Sequence, residues 1–233
     1  MIRRPLGLYI AAGIAAAACR PRLAPVIPTA LAPVSRDSAV SWVRRILPPP
    51  AGAMRFRWRY QDERVRWSGR GTVRLAPPDS LRLDYAGPLG LGAGAGVVVG
   101  DSVLWAEPAA EFERLVPAIP LLWAALGTVR PPDGGGEVFT GGTPDGRPGV
   151  RYWRFVQGGD TLDYALSIAT ERVLEAEWRR GGRVVARSRT EYDGSRPRTS
   201  RIDFPMGPAR IEFAVVARDS TAVLPPALWR NRR

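Results

Sequence analysis

From residue 54 onward, apolar side chains recur at every second position. Met54, Phe56, Trp58 and Tyr60 alternate with Arg55, Arg57 and Arg59. Val65, Trp67, Val73 and Leu75 alternate with Arg64, Arg66, Arg70 and Arg74, and Leu81, Leu83 and Tyr85 with Arg82 and Asp84. A period of two gives an extended chain one apolar and one wet face. The pattern returns in the second half at Trp153 and Phe155, at Leu162, Tyr164, Leu166 and Ile168, and at Leu174, Ala176 and Trp178. It continues through Thr190 and Tyr192, Ile202 and Phe204, and Ile211, Phe213 and Val215. Gly158-Gly159, Gly181-Gly182 and Asp193-Gly194 stand between these runs as turn signals. Val97, Val98 and Val99 lead through Gly100-Asp101 into Val103, Leu104 and Trp105 as a further pair. The pattern predicts about ten or eleven strands in an antiparallel meander, with no strand–helix–strand units.

Two regions carry a helical period instead. Residues 35–47 place Val40, Val43, Ile46 and Leu47 on one side, with Asp37 or Ser38 as N-cap and Pro48-Pro49-Pro50 as stop. Residues 108–132 place Phe112, Leu115, Val116, Leu121, Leu122, Ala125 and Leu126 at helical spacing around Pro117 and Pro120, which reads as two short helices. Three short helices must cover the apolar face of a long curved sheet. Whatever they leave bare is a hydrophobic cavity; a fully packed sandwich or barrel core is the alternative.

Composition removes several chemistries. The chain has no histidine and a single cysteine among its 233 residues. It therefore holds no Ser-His-Asp or Cys-His site, no internal disulfide and no metal-ligand spacing pattern. The net charge is +12, and all 34 basic residues are arginine. These arginines are spread over alternating strand positions, and their abundance beside alanine, glycine and proline fits a GC-rich coding bias better than a nucleic-acid site. Glu107, Glu111 and Glu113 lie where a helix begins and favour its dipole, so they make a poor acid–base pair. Gly90-x-Gly92-x-x-Ala95 fits a loose dinucleotide fingerprint, but its context is strand–turn–strand and the nucleotide reading fails. No enzymatic role and no cofactor are expected.

The one cysteine, Cys19, closes an apolar run over residues 6–18 that follows Arg3 and Arg4. Such a run spans about 20 Å as a helix, too short for a bilayer core. It has the form of a secretory signal over residues 1–18, with Ala16, Ala17 and Ala18 as the small residues of a cleavage site. The arrangement resembles the lipobox of bacterial lipoproteins, with Ala16 in place of the usual leucine; the resemblance implies lipidation of Cys19 after cleavage. Arg3-Arg4 lacks the rest of a twin-arginine motif. Arg20 follows the cysteine where no aspartate stands, which by resemblance to sorting rules favours the outer membrane. Residues 19–36 contain four prolines and read as an extended tether.

The segment LRLDYAGPLGLGAGAGVVVGDSVLW, residues 81–105, resembles the LolB family of outer-membrane lipoprotein receptors in its strand, its Gly87-Pro88-Leu89-Gly90 loop and its return strand. Downstream, VPAIPLLWAALGTV resembles the family's proline-bearing helix pair ending in Leu126-Gly127, and the closing stretch resembles its last antiparallel strands. The similarity runs over a domain at residues 37–222, leaving a C-terminal tail at 223–233. The loop is more glycine-rich, and the chain richer in arginine, than the family pattern.

The resemblance implies an unclosed antiparallel half-barrel whose helices form a lid over an apolar cavity for the acyl chains of lipoproteins. It implies that Leu89, with Leu91 beside it, projects into solvent and enters the membrane during delivery. It further implies a LolA-like periplasmic carrier as partner, a lipid anchor on the periplasmic face of the outer membrane, and a monomer. The inward positions expected to line the cavity are Phe56, Trp58, Trp67, Leu83, Tyr85, Trp153, Phe155, Tyr164, Leu166, Trp178, Phe204 and Phe213. Leu115, Leu122 and Leu126 are expected in the lid.

Overall fold

The computed structural model describes residues 31–45, 52–90, 92–142 and 147–230. Its strands are β1 (Ala32–Val34), β2 (Gly52–Gln61), β3 (Arg66–Ala76), β4 (Ser80–Ala86), β5 (Gly94–Val99), β6 (Ser102–Glu107) and β7 (Glu137–Gly141). They continue with β8 (Val150–Gln157), β9 (Asp160–Ser167), β10 (Val173–Arg180), β11 (Arg183–Asp193), β12 (Arg196–Phe204) and β13 (Ala209–Asp219). Helices α1 (Arg36–Arg45), α2 (Ala109–Leu115) and α3 (Ile119–Ala125) complete it. All thirteen strands form one open sheet in the order β1-β7-β8-β9-β10-β11-β12-β13-β2-β3-β4-β5-β6. Every pairing is antiparallel. The fold is mainly antiparallel β, an unclosed half-barrel with short helices.

The period-two runs dictate which face is buried. Met54, Phe56, Trp58 and Tyr60 of β2 stand opposite Val73, Gly71, Gly69 and Trp67 of β3. Gly69 and Gly71 are needed there. A Cβ at Gly71 would fall 2.3 Å from the Phe56 ring, and one at Gly69 would fall 2.7 Å from the Trp58 indole and 2.0 Å from the Ala86 carbonyl. The aromatic rings of β2 thus lie flat over bare backbone of β3. At Gly181-Gly182 both residues have positive φ, the geometry a two-residue hairpin requires.

Two strands have no counterpart in the sequence pattern. Strand β7 buries only Val138, and β1 spans three residues, too short for a period to show. β1 also corrects the expected tether: within residues 19–36, Ala32–Val34 pair with β7 and Arg36 already begins α1. The reason is an otherwise unpaired edge, since β7 offers its free backbone groups to any extended segment. Leu31 adds cover to a small outer cluster of Val150, Tyr152 and Ala165. Helix α1 is rotated from the expected stripe. It buries Ala39, Trp42 and Val43, and Ser35 rather than Asp37 or Ser38 holds its first turn, with Ser38 N–H donating to Ser35 Oγ at 3.2 Å. The C-terminal segment is docked as far as described: Trp105 Nε1 donates to the Trp229 carbonyl at 3.1 Å, and Arg82 donates to that of Leu228.

Candidate functional site

The concave face of the sheet gathers most of the expected cavity residues. Phe56, Trp58, Leu83, Tyr85, Trp153, Phe155, Tyr164 and Leu166 are buried there, with Leu115 of α2 and Leu122 of α3 above them. Leu126, Trp178, Phe204 and Phe213 are partly buried against the same core. Trp67 is the exception, 38% exposed. It lies on the concave face, in phase with Val73, but at the far end of β3, where the Tyr60 ring lies beside it at 6.2 Å between centroids and the Arg114 guanidinium sits over it, 5.1 Å from the ring. Solvent-facing aromatic area at a strand end is stabilised by such a cation rather than by a core.

Helix α3 explains how this face is filled. Leu121, Leu122, Trp123, Ala124 and Ala125 are all buried. A helix apolar all round sits inside a protein rather than on it. The expected lid is therefore an interior plug. It is seated by polar groups in otherwise apolar surroundings. Thr190 Oγ1 of β11 donates to the Ala124 carbonyl at 3.2 Å, and Ser200 Oγ of β12 to that of Ala125 at 2.6 Å. The Ala125 carbonyl is one the helix end does not pair itself, whereas that of Ala124 also accepts from Gly127 N–H at 2.9 Å. Trp123 Nε1 donates to the Gly100 carbonyl at 3.0 Å. Just beyond α3, Tyr164 Oη donates to the Arg130 carbonyl at 2.8 Å and accepts from Arg130 N–H at 3.1 Å. Burial pushes the Tyr164 phenol far above its usual range, so it stays a neutral donor.

Little space remains between plug and sheet. A void of about 20 Å³ lies among Met54, Phe56, Val73, Leu83, Leu122 and Phe213. A second, of about 50 Å³, lies beside Trp123 and Val129. Voids of this size hold a few water molecules at most. The middle of this face is therefore open only if α3 moves, while at the start of α3 an open cleft of about 740 Å³ reaches Leu162 and Trp178 past Val116, Pro117, Ile119 and Pro120. Among the described residues, buried Tyr85 Oη and Trp153 Nε1 meet no hydrogen-bond partner, and burial, with Glu111 nearby, pushes the Tyr85 phenol up to about 12. Trp153 stacks on Trp42 of α1 at 4.3 Å between ring centroids.

The second part of the site is the loop between β4 and β5. Leu89 is 100% exposed and holds φ 55°, ψ 22°. Left-handed backbone at a branched apolar residue is costly, and the cost persists only where the surroundings impose it. The tight turn closes through Gly90 N–H donating to the Gly87 carbonyl at 3.2 Å. Leu91 and Cys19 lie outside the described residues.

Ser200, Trp42 and Trp123 were not singled out in the sequence, and Thr190 stood there only as a strand position. Trp42 could have been found by sliding the α1 stripe by one residue. The two hydroxyls carry no sequence signal, because a strand serine facing inward is unremarkable until a helix end lies over it. Among the described residues no group of acidic or sulfur side chains could hold a metal, and no helix is long and apolar enough to cross a membrane.

No known family matches the chain as a sequence, and no curated protein is significantly similar. Solved structures are. A LolA superfamily protein from Nitrosomonas europaea aligns with a TM-score of 0.57 at 13% identity, over 85% of this chain and 98% of that one. The chain shares its fold with that protein. An outer membrane lipoprotein-sorting protein domain from Vibrio parahaemolyticus aligns at 0.46 and 8% identity, over 83% of this chain and 97% of its own. A DUF1329 family protein from Desulfovibrio piger aligns at 0.45 and 9% identity, over 83% and 95%. Neither of these two carries weight beside the first. The likeness is one of architecture, and function has to be argued from the residues of this chain.

Proposed function

We propose that this chain is a non-enzymatic envelope lipoprotein that takes up the acyl chains of other lipoproteins and releases them into the outer membrane. In this reading Cys19 carries the lipid anchor, and a LolA-like periplasmic carrier supplies the cargo. The acyl chain replaces α3 against the concave aromatic face, and Leu89 touches the membrane during release. The observation that carries the proposal is Leu89 itself. A leucine held wholly in solvent in a left-handed turn gains nothing in the free protein. Entering lipid, it gains about 1.5–3 kcal/mol. Transfer then runs on affinity differences between carrier, receptor and bilayer, with no bond made or broken.

The test is Leu89→Glu. Binding of a fluorescent fatty acid should be unchanged, while transfer of a lipoprotein from the protein to liposomes falls at least tenfold. Equal loss of both refutes the delivery role.

One observation favours a second reading. The middle of the concave face is filled by α3, as in an assembly or structural lipoprotein that contacts another envelope protein and needs no deep cavity. Mass analysis of the protein purified in detergent from its native membrane separates the two. Diacylglycerol on Cys19 with co-purifying acyl chains supports the receptor; lipidation with no extractable acyl chain supports the assembly protein.

A further inference from the structure

The face of the sheet turned away from the core holds a second feature. Arg57 of β2 stands directly opposite Arg70 of β3. Side chains so placed are close neighbours, and like charges there repel. Their neighbours along the same row give no relief: Ala214 pairs with Arg57 on one side and Ala86 with Arg70 on the other. Other facing arginines are neutralised. Arg74 and Arg82 share Asp84, while Arg189 meets Glu175 and Arg201 meets Asp203. Arg57 and Arg70 have no carboxylate within ion-pair distance among the described residues.

This pair lies in an open groove of about 1020 Å³, whose walls carry five arginines against two glutamates. The groove has Leu89 on its rim. The row of Arg57 and Arg70 ends at Ala86, and the loop that lifts Leu89 into solvent begins at the next residue.

We infer that Arg57 and Arg70 form a headgroup-binding site for anionic phospholipid, and that this site and Leu89 dock together as one surface on a negatively charged bilayer. The inference deepens the delivery role proposed above and rests on it. The pairing of chemistries selects the partner. A membrane interface offers anionic phosphates at the surface and hydrocarbon just beneath, and this groove offers guanidinium groups with one exposed leucine beside them. A nucleic acid or a soluble anion would satisfy the arginines and leave Leu89 in water. Arginine suits the task because its planar fork takes phosphate oxygens two at a time.

The test uses the full chain with Cys19→Ser and Leu89→Cys, labelled at position 89 with an environment-sensitive apolar fluorophore. Vesicles of phosphatidylcholine are compared with the same vesicles doped with phosphatidylglycerol. In the Arg57→Gln/Arg70→Gln variant, the lipid needed for half-maximal blue shift on doped vesicles should rise about 30-fold, with no change on phosphatidylcholine alone. Arg201→Gln, whose partner Asp203 already neutralises it, should shift the titration far less. Doped-vesicle binding unchanged in the double variant, or an equal effect of Arg201→Gln, overturns the inference. A labelled parent that shifts equally on both vesicle types also overturns it while leaving the delivery role standing. One that shifts on neither removes both. Misfolding of the double variant would show as a lowered melting temperature; relief of repulsion should leave it equal or higher.

Discussion

If α3 is a plug that yields to an acyl chain, then loosening its seat should tighten ligand binding. Thr190 and Ser200 are the places to do it. The Ala125 carbonyl takes its hydrogen bond from Ser200, whereas the Ala124 carbonyl accepts from both Thr190 and Gly127 N–H. Removing a hydroxyl from an otherwise unpaired buried carbonyl costs about 1–3 kcal/mol, and from one with a second donor less. Thr190→Val with Ser200→Ala should therefore weaken the seated state by about 2 kcal/mol. If ligand binds only when the helix is displaced, apparent affinity scales with the open fraction, so the dissociation constant should fall about 30-fold. Titration with a fluorescent fatty acid reads this directly. Hydrogen exchange gives an independent check: amides of residues 121–126 should lose about 30-fold of protection while those of β9 and β10 keep theirs. A variant that exchanges throughout its core and binds no more tightly would refute the reasoning. α3 would then be a fixed part of the core, and the assembly reading would gain.

Two further outcomes follow from the geometry. Gly71→Ala places a methyl group 2.3 Å from the Phe56 ring and 2.8 Å from the Asp84 carbonyl, so it should destabilise by roughly 1–3 kcal/mol in urea unfolding. A neutral result would mean that the β2 rings have room to move. Asp62 accepts from Arg64 N–H and Val65 N–H at 2.7 Å each, and from Tyr60 Oη at 3.0 Å. These bonds, led by the one from Val65, hold its carboxyl below the ordinary value. A lowered acid stabilises the folded state above the unfolded-state value and loses that contribution as pH falls through the folded one. The melting-temperature advantage over Asp62→Asn should accordingly be greatest at neutral pH and vanish in acid; an advantage that grows on acidification would contradict the assignment.

The sheet was legible because its alternation is nearly unbroken. Runs such as Met54, Phe56, Trp58 and Tyr60 admit only one choice of buried face, and the glycine pairs mark the turns. What stayed hidden was set by distant partners. β1 is a strand only because β7 needs an edge partner, and nothing within the three residues Ala32–Val34 says so. The composition of α3 showed that it is apolar, but whether an apolar helix covers a cavity or fills it depends on how far it sinks, which Thr190 and Ser200 decide from two other strands. Trp67 obeyed the alternation and still ended half in solvent, since period reports the face and not the distance from the end of the core. Leu89 stands exposed where the Pro-Leu-Gly loop implied. The meaning of Arg57 and Arg70 was lost among 34 arginines until strand register set them face to face.

The order of the strands has a consequence for how the chain comes together. Strands β2 to β6 form one run of sequence-local hairpins and β7 to β13 another, and β13 meets β2 to weld them. That seam pairs Tyr60 with Ile211, so closing it from a coil costs about 4 kcal/mol in loop entropy, well above any neighbouring hairpin. α3 lies against β10, β11 and β12 on one side and faces Met54, Phe56 and Leu83 on the other. Once docked on the later strands, it offers the earlier ones a ready apolar surface and turns a search through space into the completion of an interface. On the proposed delivery role, the helix that yields to cargo is thus also the rivet between the halves. A ligand that displaces it must supply equivalent apolar surface on both sides, or the seam beneath will part.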